Sequence, residues 1–390
     1  MASSIKHTFM LRWVSVGAIA LVSLLLFFWL QPAQPSVSMN RSSETPTANN
    51  VPTPSTPAVS HLPTPEAVKA VYLTSWVASS PALRNQRVIQ LIENTELNAV
   101  IIDIKDATGR IAFEVEDPKL QAVGSVQNRI RDVRPFIESL HAKGIYVIAR
   151  MCAFQDLYYV TVRPEAAVRR VSDGGVWRDR RGQAWVDPGS REVWDYLVAL
   201  AREAHSVGFD EVNLDYIRFA SDGNMKDIRY PLSEGKSKRE VMESFFTYFR
   251  DHVKDTGVVL SADLFGLTCT VTHDMNIGQH LETAAGIFDY VCPMVYPSHY
   301  PYHWEGHARP ATTPYPIVKS AMDHAVARLA SANISIQKLR PWLQDFNLGA
   351  VYTPDMVRAQ MQAVYDAGLT SWMLWSPSNI YTKAALKGKS

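Results

Sequence analysis

The chain has 390 residues, with 39 Lys and Arg against 38 Asp and Glu, which gives a net charge of +1. It therefore lacks the basic excess that neutralises phosphates, and no nucleic-acid partner is expected. Hydrophobic residues make up 47% of the chain, an ordinary globular share that excludes wholesale disorder. Three cysteines without a Cys-x-x-Cys pair exclude a disulfide scaffold and suggest no zinc site, and no cofactor is predicted.

The first predicted element is an apolar helix over residues 13–30. Its 18 residues, Trp13 to Leu30, contain no charge and no proline, and a helix of that length spans about 27 Å, close to a bilayer core. Lys6 and Arg12 precede it, which places a short tail, 1–12, in the cytoplasm. We expect a single-pass signal-anchor in the cell membrane with the rest of the chain outside. The alternative is a cleaved signal peptide and a secreted or periplasmic protein, although residues 31–35 offer a poor cleavage site.

The next segment, residues 31–65, is predicted to be a linker. It holds eight prolines and many Ser, Thr and Asn residues. Such a composition cannot bury a core, so we expect a disordered, extended spacer rich in Pro, Ser and Thr. The folded domain is then predicted to span residues 66–390.

From residue 68 onward, short apolar runs rich in β-branched residues alternate with amphipathic helical stretches. This alternation over about 310 residues predicts a (β/α)₈ TIM barrel. An open doubly wound sheet is the alternative, but it usually carries a Gly-rich loop after its first strand, and none is present here. The predicted strands are Val71–Trp76, Ala99–Asp106, Ile145–Phe154, Glu211–Phe219, Val258–Gly266, Tyr290–Pro297, Leu339–Phe346 and Ser371–Pro377. The predicted helices are Arg87–Thr95, Val133–Lys143, Arg191–Ser206, Lys238–Lys254, Ile317–Ala332 and Pro354–Ala367.

Polar residues recur in these strands, although buried parallel strands are usually apolar throughout. Because side chains alternate between the faces of a strand, three pairs share a face: Asp103 with Lys105, Asn213 with Asp215, and Ser261 with Asp263. The residues between them are apolar and would face the helices. We therefore expect a functional site inside the C-terminal mouth of the barrel, where such barrels carry their active sites.

Residues 68–377 resemble a bacterial family of glycosyl hydrolase domains whose specificity is undefined. The matching segments are Val71–Trp76, Thr95–Asp106, Gly144–Arg150, Gly208–Phe219 and Pro341–Gln344. The resemblance covers nearly all of the predicted folded domain. It implies a TIM-type barrel related to sugar-cleaving barrels, and a poly- or oligosaccharide as the substrate.

Glycoside hydrolysis requires two carboxyl groups flanking the scissile bond. Asp215 and Asp263 are the candidate catalytic residues because each lies late in one of two neighbouring strands. The arrangement resembles the α-amylase-like barrels, which implies that Asp215 is the nucleophile and Asp263 the general acid/base. Those barrels use Glu on the fifth strand, so Asp103 and Asp345 are alternatives for the acid.

The remaining site predictions concern substrate binding. Arg150 is expected to favour the ionised form of Asp215, and Lys105 to hold a sugar hydroxyl or to neutralise Asp103. Arg218 either joins the site or pairs with a loop carboxylate on the opposite face of its strand. Aromatic faces commonly stack on sugars. The full predicted binding set is Asp103, Lys105, Arg150, Arg218, Tyr296, Gln344, Trp375, Trp76, Trp177 and Trp304.

Two further interpretations compete with this one. His299, His303 and His307 have a spacing that suits metal binding on a helix, but the neighbouring prolines oppose a helix starting there, so no metal is predicted. A non-catalytic glycan-binding barrel at the cell surface is the alternative function. Such a module does not require two carboxyl groups on adjacent strands, so the sequence favours an extracytoplasmic glycoside hydrolase.

Overall fold

The computed structural model describes residues 59–389, and eight of its strands close into a parallel barrel. The predicted (β/α)₈ TIM barrel is therefore confirmed. The strands in chain order are β1 Lys69–Leu73, β2 Ala99–Lys105, β3 Tyr146–Cys152, β4 Arg169–Arg170, β5 Glu211–Asp215, β6 Ile228–Arg229, β7 Val259–Phe265, β8 Tyr290–Met294, β9 Trp342–Gln344 and β10 Trp372–Trp375. Around the barrel the order is β1, β2, β3, β5, β7, β8, β9 and β10, which pairs again with β1.

Helices cover the outside of the barrel. The longer ones are α5 Val133–His141, α7 Arg191–Ser206, α8 Lys238–Val253, α9 Leu281–Ile287, α10 Pro314–Ser331 and α11 Pro354–Asp366. The shorter ones are α1 Ser75–Ala78, α2 Pro81–Arg84, α3 Gln90–Glu93, α4 Pro118–Val123 and α6 Tyr159–Val162, with a π-helical turn at Asn85–Ile89. Gly144 and Gly257 follow α5 and α8 in left-handed conformations, as expected where a helix turns back into a strand.

Alternation along each strand separates two apolar layers. On β7, Leu260, Ala262 and Leu264 are buried in the large outer cluster between the strands and the helices. The inward-facing residues of β1, β2 and β3 form a smaller inner cluster within the barrel. The polar residues of the strands belong to this inward face, and they therefore converge at the mouth.

The long loops after β3 and β5 build a small platform beside the mouth. β4 and β6 pair as a two-stranded antiparallel sheet that places Arg169 opposite Arg229. The 155–190 insertion contains a hairpin, in which Arg169 bridges Val176 around a turn that contains Gly174 in a left-handed conformation. This platform forms one side of the cleft described below.

The end of the predicted linker belongs to the folded unit. The backbone N–H of Leu62 donates a hydrogen bond to Asp210 at 2.7 Å, and the hydroxyls of Thr64 and Tyr146 are 3.0 Å apart. His61 stacks on His205 with 3.9 Å between the ring centroids. The boundary predicted at residue 66 is therefore too late, because residues 61–64 make specific contacts with residues at the N-terminal end of the strands.

Within residues 59–389, no helix has both the length and the apolar character required to cross a bilayer. The predicted tail 1–12, the anchor 13–30 and residues 31–58 of the linker lie outside the described residues.

Candidate active site

A cleft of about 580 Å³ opens at the C-terminal mouth of the barrel. β2, β3, β5 and β7 are neighbours in the closed sheet, and the register pairs Asp103 with Arg150 and Cys152 with Asp215. Parallel strands end at the same edge, so their last inward-facing side chains converge there. Six predicted site residues line this cleft: Arg150, Asp215, Arg218, Asp263, Tyr296 and Trp375.

Arg150 is buried at the centre of the site and contacts three carboxyl groups. One terminal nitrogen donates to Asp103 and the other to Asp215, while Nε lies 3.8 Å from Oδ2 of Asp263. This Nε has no hydrogen-bond partner among the described residues. Asp103 also accepts a hydrogen bond from the Tyr72 hydroxyl. Burial raises the pKa of Asp103 despite the nearby guanidinium.

Asp263 is the most enclosed of the three carboxyl groups near Arg150, with only 1% of its surface exposed. Its Oδ1 accepts hydrogen bonds from Nδ2 of Asn213 at 2.9 Å and from Nε1 of Trp342 at 2.7 Å. Burial first, and then the charge of Asp215, raises the pKa of Asp263 well above that of an ordinary carboxyl. With Oδ1 accepting two N–H groups, Oδ2 is the atom left to carry the proton.

Asp215 is the last residue of β5, and the chain turns sharply after it. Tyr216 has φ 53°, an uncommon conformation for a bulky residue that frequently marks a functional site. The turn brings the Tyr216 N–H to 2.5 Å from Oδ1 of Asp215, while Oδ2 accepts from Arg150. Both oxygens of Asp215 thus accept hydrogen bonds, which fixes the orientation of this carboxyl group in the cleft.

The other end of the cleft is shaped by close approach of the backbone after β7. A Cβ placed on Gly266 would lie 2.4 Å from the carbonyl oxygen of Met294, so only glycine fits between β7 and β8 at this point. Tyr296 follows β8 and lines the cleft. Burial, together with Asp263 and Asp215, raises the pKa of Tyr296 well above its usual value, so its hydroxyl stays protonated as a donor.

Arg218 lies in the cleft wall rather than on the opposite side of its strand. Its NH1 donates to the carbonyl of Phe219 at 3.1 Å and to the hydroxyl of Ser221 at 3.2 Å. Among residues 59–389 Arg218 makes no ion pair, although the charges of Asp215 and of the loop residue Asp222 act on it from a greater distance. The predicted pairing with a loop carboxylate is therefore not formed.

Lys105 does not share a face with Asp103, contrary to the prediction. A register irregularity between them sets Lys105 opposite Met151 instead of Cys152, and this shift turns the side chain away from the cleft. Its Nζ pairs with Asp156 at 2.8 Å and donates to the carbonyl of Cys152 at 2.6 Å. The residue is fully buried in this pair and lies outside the cleft.

Two predicted residues on β9 and beyond support the mouth without lining the cleft. Gln344 accepts a hydrogen bond from the Ser298 N–H at 3.1 Å and donates to the Phe346 carbonyl at 2.9 Å. Asp345, the reserve candidate for the acid, accepts from the backbone N–H and hydroxyl of Thr382 at 2.8 and 2.6 Å. Asp345 thus fixes the C-terminal segment, since its side chain has the opposite parity to Gln344.

The predicted tryptophans take different positions. Trp375 lines the cleft and stacks on Tyr72 with ring centroids 4.0 Å apart. Trp177 is only 1% exposed and donates to the Asn224 carbonyl, so it is a core residue of the platform. Trp76 is 60% exposed, and Trp304 packs on Tyr300; neither lines the cleft.

Several residues of the site were not predicted to take part in catalysis or substrate binding. Asn213 and Trp342 contact Asp263 directly, and both have the inward parity that the strand pattern indicates; that parity was the available signal. Arg181, Asp222 and His299 also line the cleft, but they come from loops, where no periodicity exists to indicate direction.

No group of three or more His, Cys, Asp or Glu side chains in the described part of the chain has the arrangement of a metal site. His299 lies in the cleft, where burial and Arg181 lower its pKa. Pro297–His299 is a single 3₁₀ turn, so His299, His303 and His307 do not follow one another on a helix.

Residues 70–381 match the model of the family described as "Putative glycosyl hydrolase domain". No curated protein matches the sequence significantly. A solved hypothetical protein from Ruminiclostridium thermocellum is 36% identical over 50% of this chain and 96% of its own, with a TM-score of 0.45. The glycoside hydrolase domain of PgaB (BpsB) from Bordetella bronchiseptica is 15% identical over 83% of this chain and 100% of its own, with a TM-score of 0.60, which shows a shared fold.

Proposed function

The chain belongs to the Putative glycosyl hydrolase domain family, and from this premise we propose that it hydrolyses glycosidic bonds of a poly- or oligosaccharide, with Asp215 and Asp263 as the catalytic pair. Asp263 is the proton donor to the leaving oxygen. Asp215 attacks the sugar or activates water. Neither role requires a cofactor, since carboxyl groups supply both proton transfer and nucleophile.

The observation that carries this proposal is the contrast between the two carboxyl environments. Asp263 is enclosed, and its raised pKa favours the neutral acid. Asp215 lines the same cleft, and each of its oxygens accepts a hydrogen bond, one from Arg150 and one from the Tyr216 N–H. Two carboxyl groups in one cleft with opposed environments are the usual arrangement for acid and base roles.

Arg150 provides a reason for the proton transfer to be favourable. When Oδ2 of Asp263 releases its proton, the new carboxylate lies 3.8 Å from the unpartnered Nε of Arg150. A short movement would pair the two, and this stabilises charge that exists only after proton donation. Because both carboxyl groups contact one guanidinium, their separation falls inside the roughly 10 Å limit of two-carboxylate mechanisms.

The test measures hydrolysis by the full chain and by the variants Asp215→Asn and Asp263→Asn. A panel of polysaccharides identifies a cleaved substrate, and an aryl glycoside with a good leaving group probes dependence on the acid. Asp215→Asn should lower kcat by orders of magnitude on every substrate. Asp263→Asn should reduce polysaccharide cleavage far more than cleavage of the activated aryl glycoside, which needs little protonation.

Asp222→Asn is the matched control, since Asp222 is an exposed carboxylate lining the same cleft. It should retain most of the activity. Equal losses in all three variants would remove the catalytic assignment. Binding of glycans without hydrolysis by the unmodified chain would instead favour the non-catalytic glycan-binding barrel.

We also propose that the barrel works outside the cytoplasm, held by a membrane anchor at residues 13–30. Lys6 and Arg12 before the uncharged run support this orientation. A reporter enzyme that works only outside the cytoplasm should therefore be active when it is fused after residue 66. A mature N-terminus near residue 34 would replace the anchor with a cleaved signal peptide.

A further inference from the structure

Arg218 is a buried cation that makes no ion pair among the described residues, and the carboxylates whose charge reaches it, Asp215 and Asp222, lie beyond ion-pair distance. It is 9% exposed, and its guanidinium is enclosed by aromatic rings, with the carbon 4.6 Å from the centroid of Phe265, 4.8 Å from Trp185 and 5.1 Å from Tyr216. Burial lowers the pKa of Arg218, because desolvation outweighs the more distant carboxylates. Its polar contacts within the described residues are a carbonyl and a hydroxyl, and neither carries charge.

The other buried arginines are balanced differently. Arg150 pairs with Asp103 and Asp215, Arg340 with Glu211, and Arg84 with Asp132. These pairs follow the rule that buried charges have an opposite charge beside them. Arg218 departs from the rule, and it does so in the wall of the cleft. Because Arg218 lacks an ion-pair partner at a ligand-binding surface, we infer that the ligand supplies the negative charge.

A second unpaired cation faces the same space. Arg181 lies at the exposed rim of the cleft, and its side chain makes no hydrogen bond or ion pair in the part of the chain that the structure describes. Its charge contributes to lowering the pKa of His299, which also lines the cleft. A cation at the rim, such as Arg181, attracts an anionic ligand, and the enclosed Arg218 then binds that ligand.

We propose that the cleft selects an anionic glycan, and that Arg218 binds an acidic group on the sugar with Arg181 assisting from the rim. This inference rests on the proposed function, since it names the substrate class of the same site. The acidic group is a carboxylate or a phosphate ester, both of which match the planar fork of a guanidinium. The aromatic rings around Arg218 fix the orientation of that fork.

The experiment measures binding to the full chain by isothermal titration calorimetry. The ligands are pairs of sugars that share the same ring and differ in whether they carry an acidic group. Glucuronate and galacturonate are compared with glucose and galactose, and glucose 6-phosphate is compared with glucose. We expect at least one anionic sugar to bind tenfold or more tightly than its neutral partner. The uronates and the sugar phosphate distinguish a carboxylate from a phosphate as the recognised group.

Variants assign this preference to the two arginines. Arg218→Gln should weaken binding of the anionic sugar about thirtyfold or more and binding of the neutral sugar far less, as expected when an enclosed charge loses its partner. Arg181→Gln should weaken it several-fold, with a reduced dependence on salt. Arg180→Gln is the matched control, because it removes the same charge from the neighbouring exposed residue, which does not line the cleft.

Because Arg218 is enclosed, Arg218→Gln could unfold, and thermal unfolding of each variant checks this. Arg218→Lys and the exposed Arg181→Gln then carry the test, with Lys retaining part of the preference. The proposal is overturned if no anionic sugar binds more tightly than its neutral partner, or if the preference keeps its full wild-type size in both Arg181→Gln and a folded Arg218 variant.

Binding requires no turnover, so the two proposals can fail separately. An arginine-dependent preference for anionic sugars in a chain that hydrolyses nothing would contradict only the proposed hydrolysis. Hydrolysis of a neutral glycan at a rate independent of Arg218 and Arg181 would contradict only the selection of an anionic glycan.

Discussion

Arg150 on β3 donates a hydrogen bond to Asp215 at the end of the neighbouring strand β5. The two side chains meet because the register sets Arg150 opposite Asn213, two residues before Asp215. Asp103 accepts from the same guanidinium on the other side. The guanidinium of Arg150 therefore holds the acidic residues of β2 and β5 together at the base of the cleft.

The ion pairs of Arg150 with Asp103 and Asp215 should be essential to stability as well as to activity. Arg150→Met leaves Asp103 and Asp215 without their cation, and removing one partner of a buried ion pair costs about 3–5 kcal/mol of unfolding free energy. Denaturant unfolding measures the loss. Arg170→Gln, which breaks the exposed pair of Arg170 with Asp173, should change stability little. Similar stability of the Arg150 variant and the wild type would show that these ion pairs are dispensable for folding.

Asp263 should make stability depend on pH. Its folded-state pKa is raised above the ordinary value, so its contribution is fully present below the unfolded-state pKa of about 4 and is lost as pH rises through the folded-state pKa. Asp263→Asn is neutral at every pH. Its unfolding free energy relative to the wild type should therefore improve from pH 4 towards pH 9. A difference that is constant across this range contradicts the raised pKa.

Lys105 should act on stability and not on substrate binding. Its Nζ is buried against Asp156, so Lys105→Met strands that carboxylate and should cost about 3–5 kcal/mol. The KM of the folded variant should match that of the wild type, since Lys105 lies outside the cleft. A raised KM with unchanged stability would restore the binding role that the sequence suggested.

The three cysteines should be inert in the folded chain. Cys152, Cys269 and Cys292 are buried and unpaired, and burial raises the pKa of each thiol, that of Cys269 to about 12. The thiolate is the reactive form. Ellman's reagent at pH 8 should react slowly with the native chain and should titrate three thiols in guanidinium chloride. Rapid reaction of a native thiol would indicate local opening of its strand.

Much of the barrel could be predicted because the apolar patterns of its strands and helices depend only on residues close together in the sequence. Apolar runs with β-branched residues located the eight strands, and α7 begins and ends at the predicted residues. Strand ends were less accurate: Glu211–Phe219 was predicted where β5 stops at Asp215. The conformation of Tyr216 ends that strand, and a positive φ at a tyrosine has no signal in sequence.

The sequence by itself determined which side chains point into the barrel, because alternation along a strand depends only on backbone geometry. That was sufficient to place Asp103, Arg150, Asp215 and Asp263 on one face. Only the tertiary structure decided which of them contact each other and which residues from loops join them. Lys105 left the site through a shift in strand register, and Arg181 entered it from a loop more than 30 residues before Arg218. Register and loop paths depend on long-range pairing and packing, which no local pattern records.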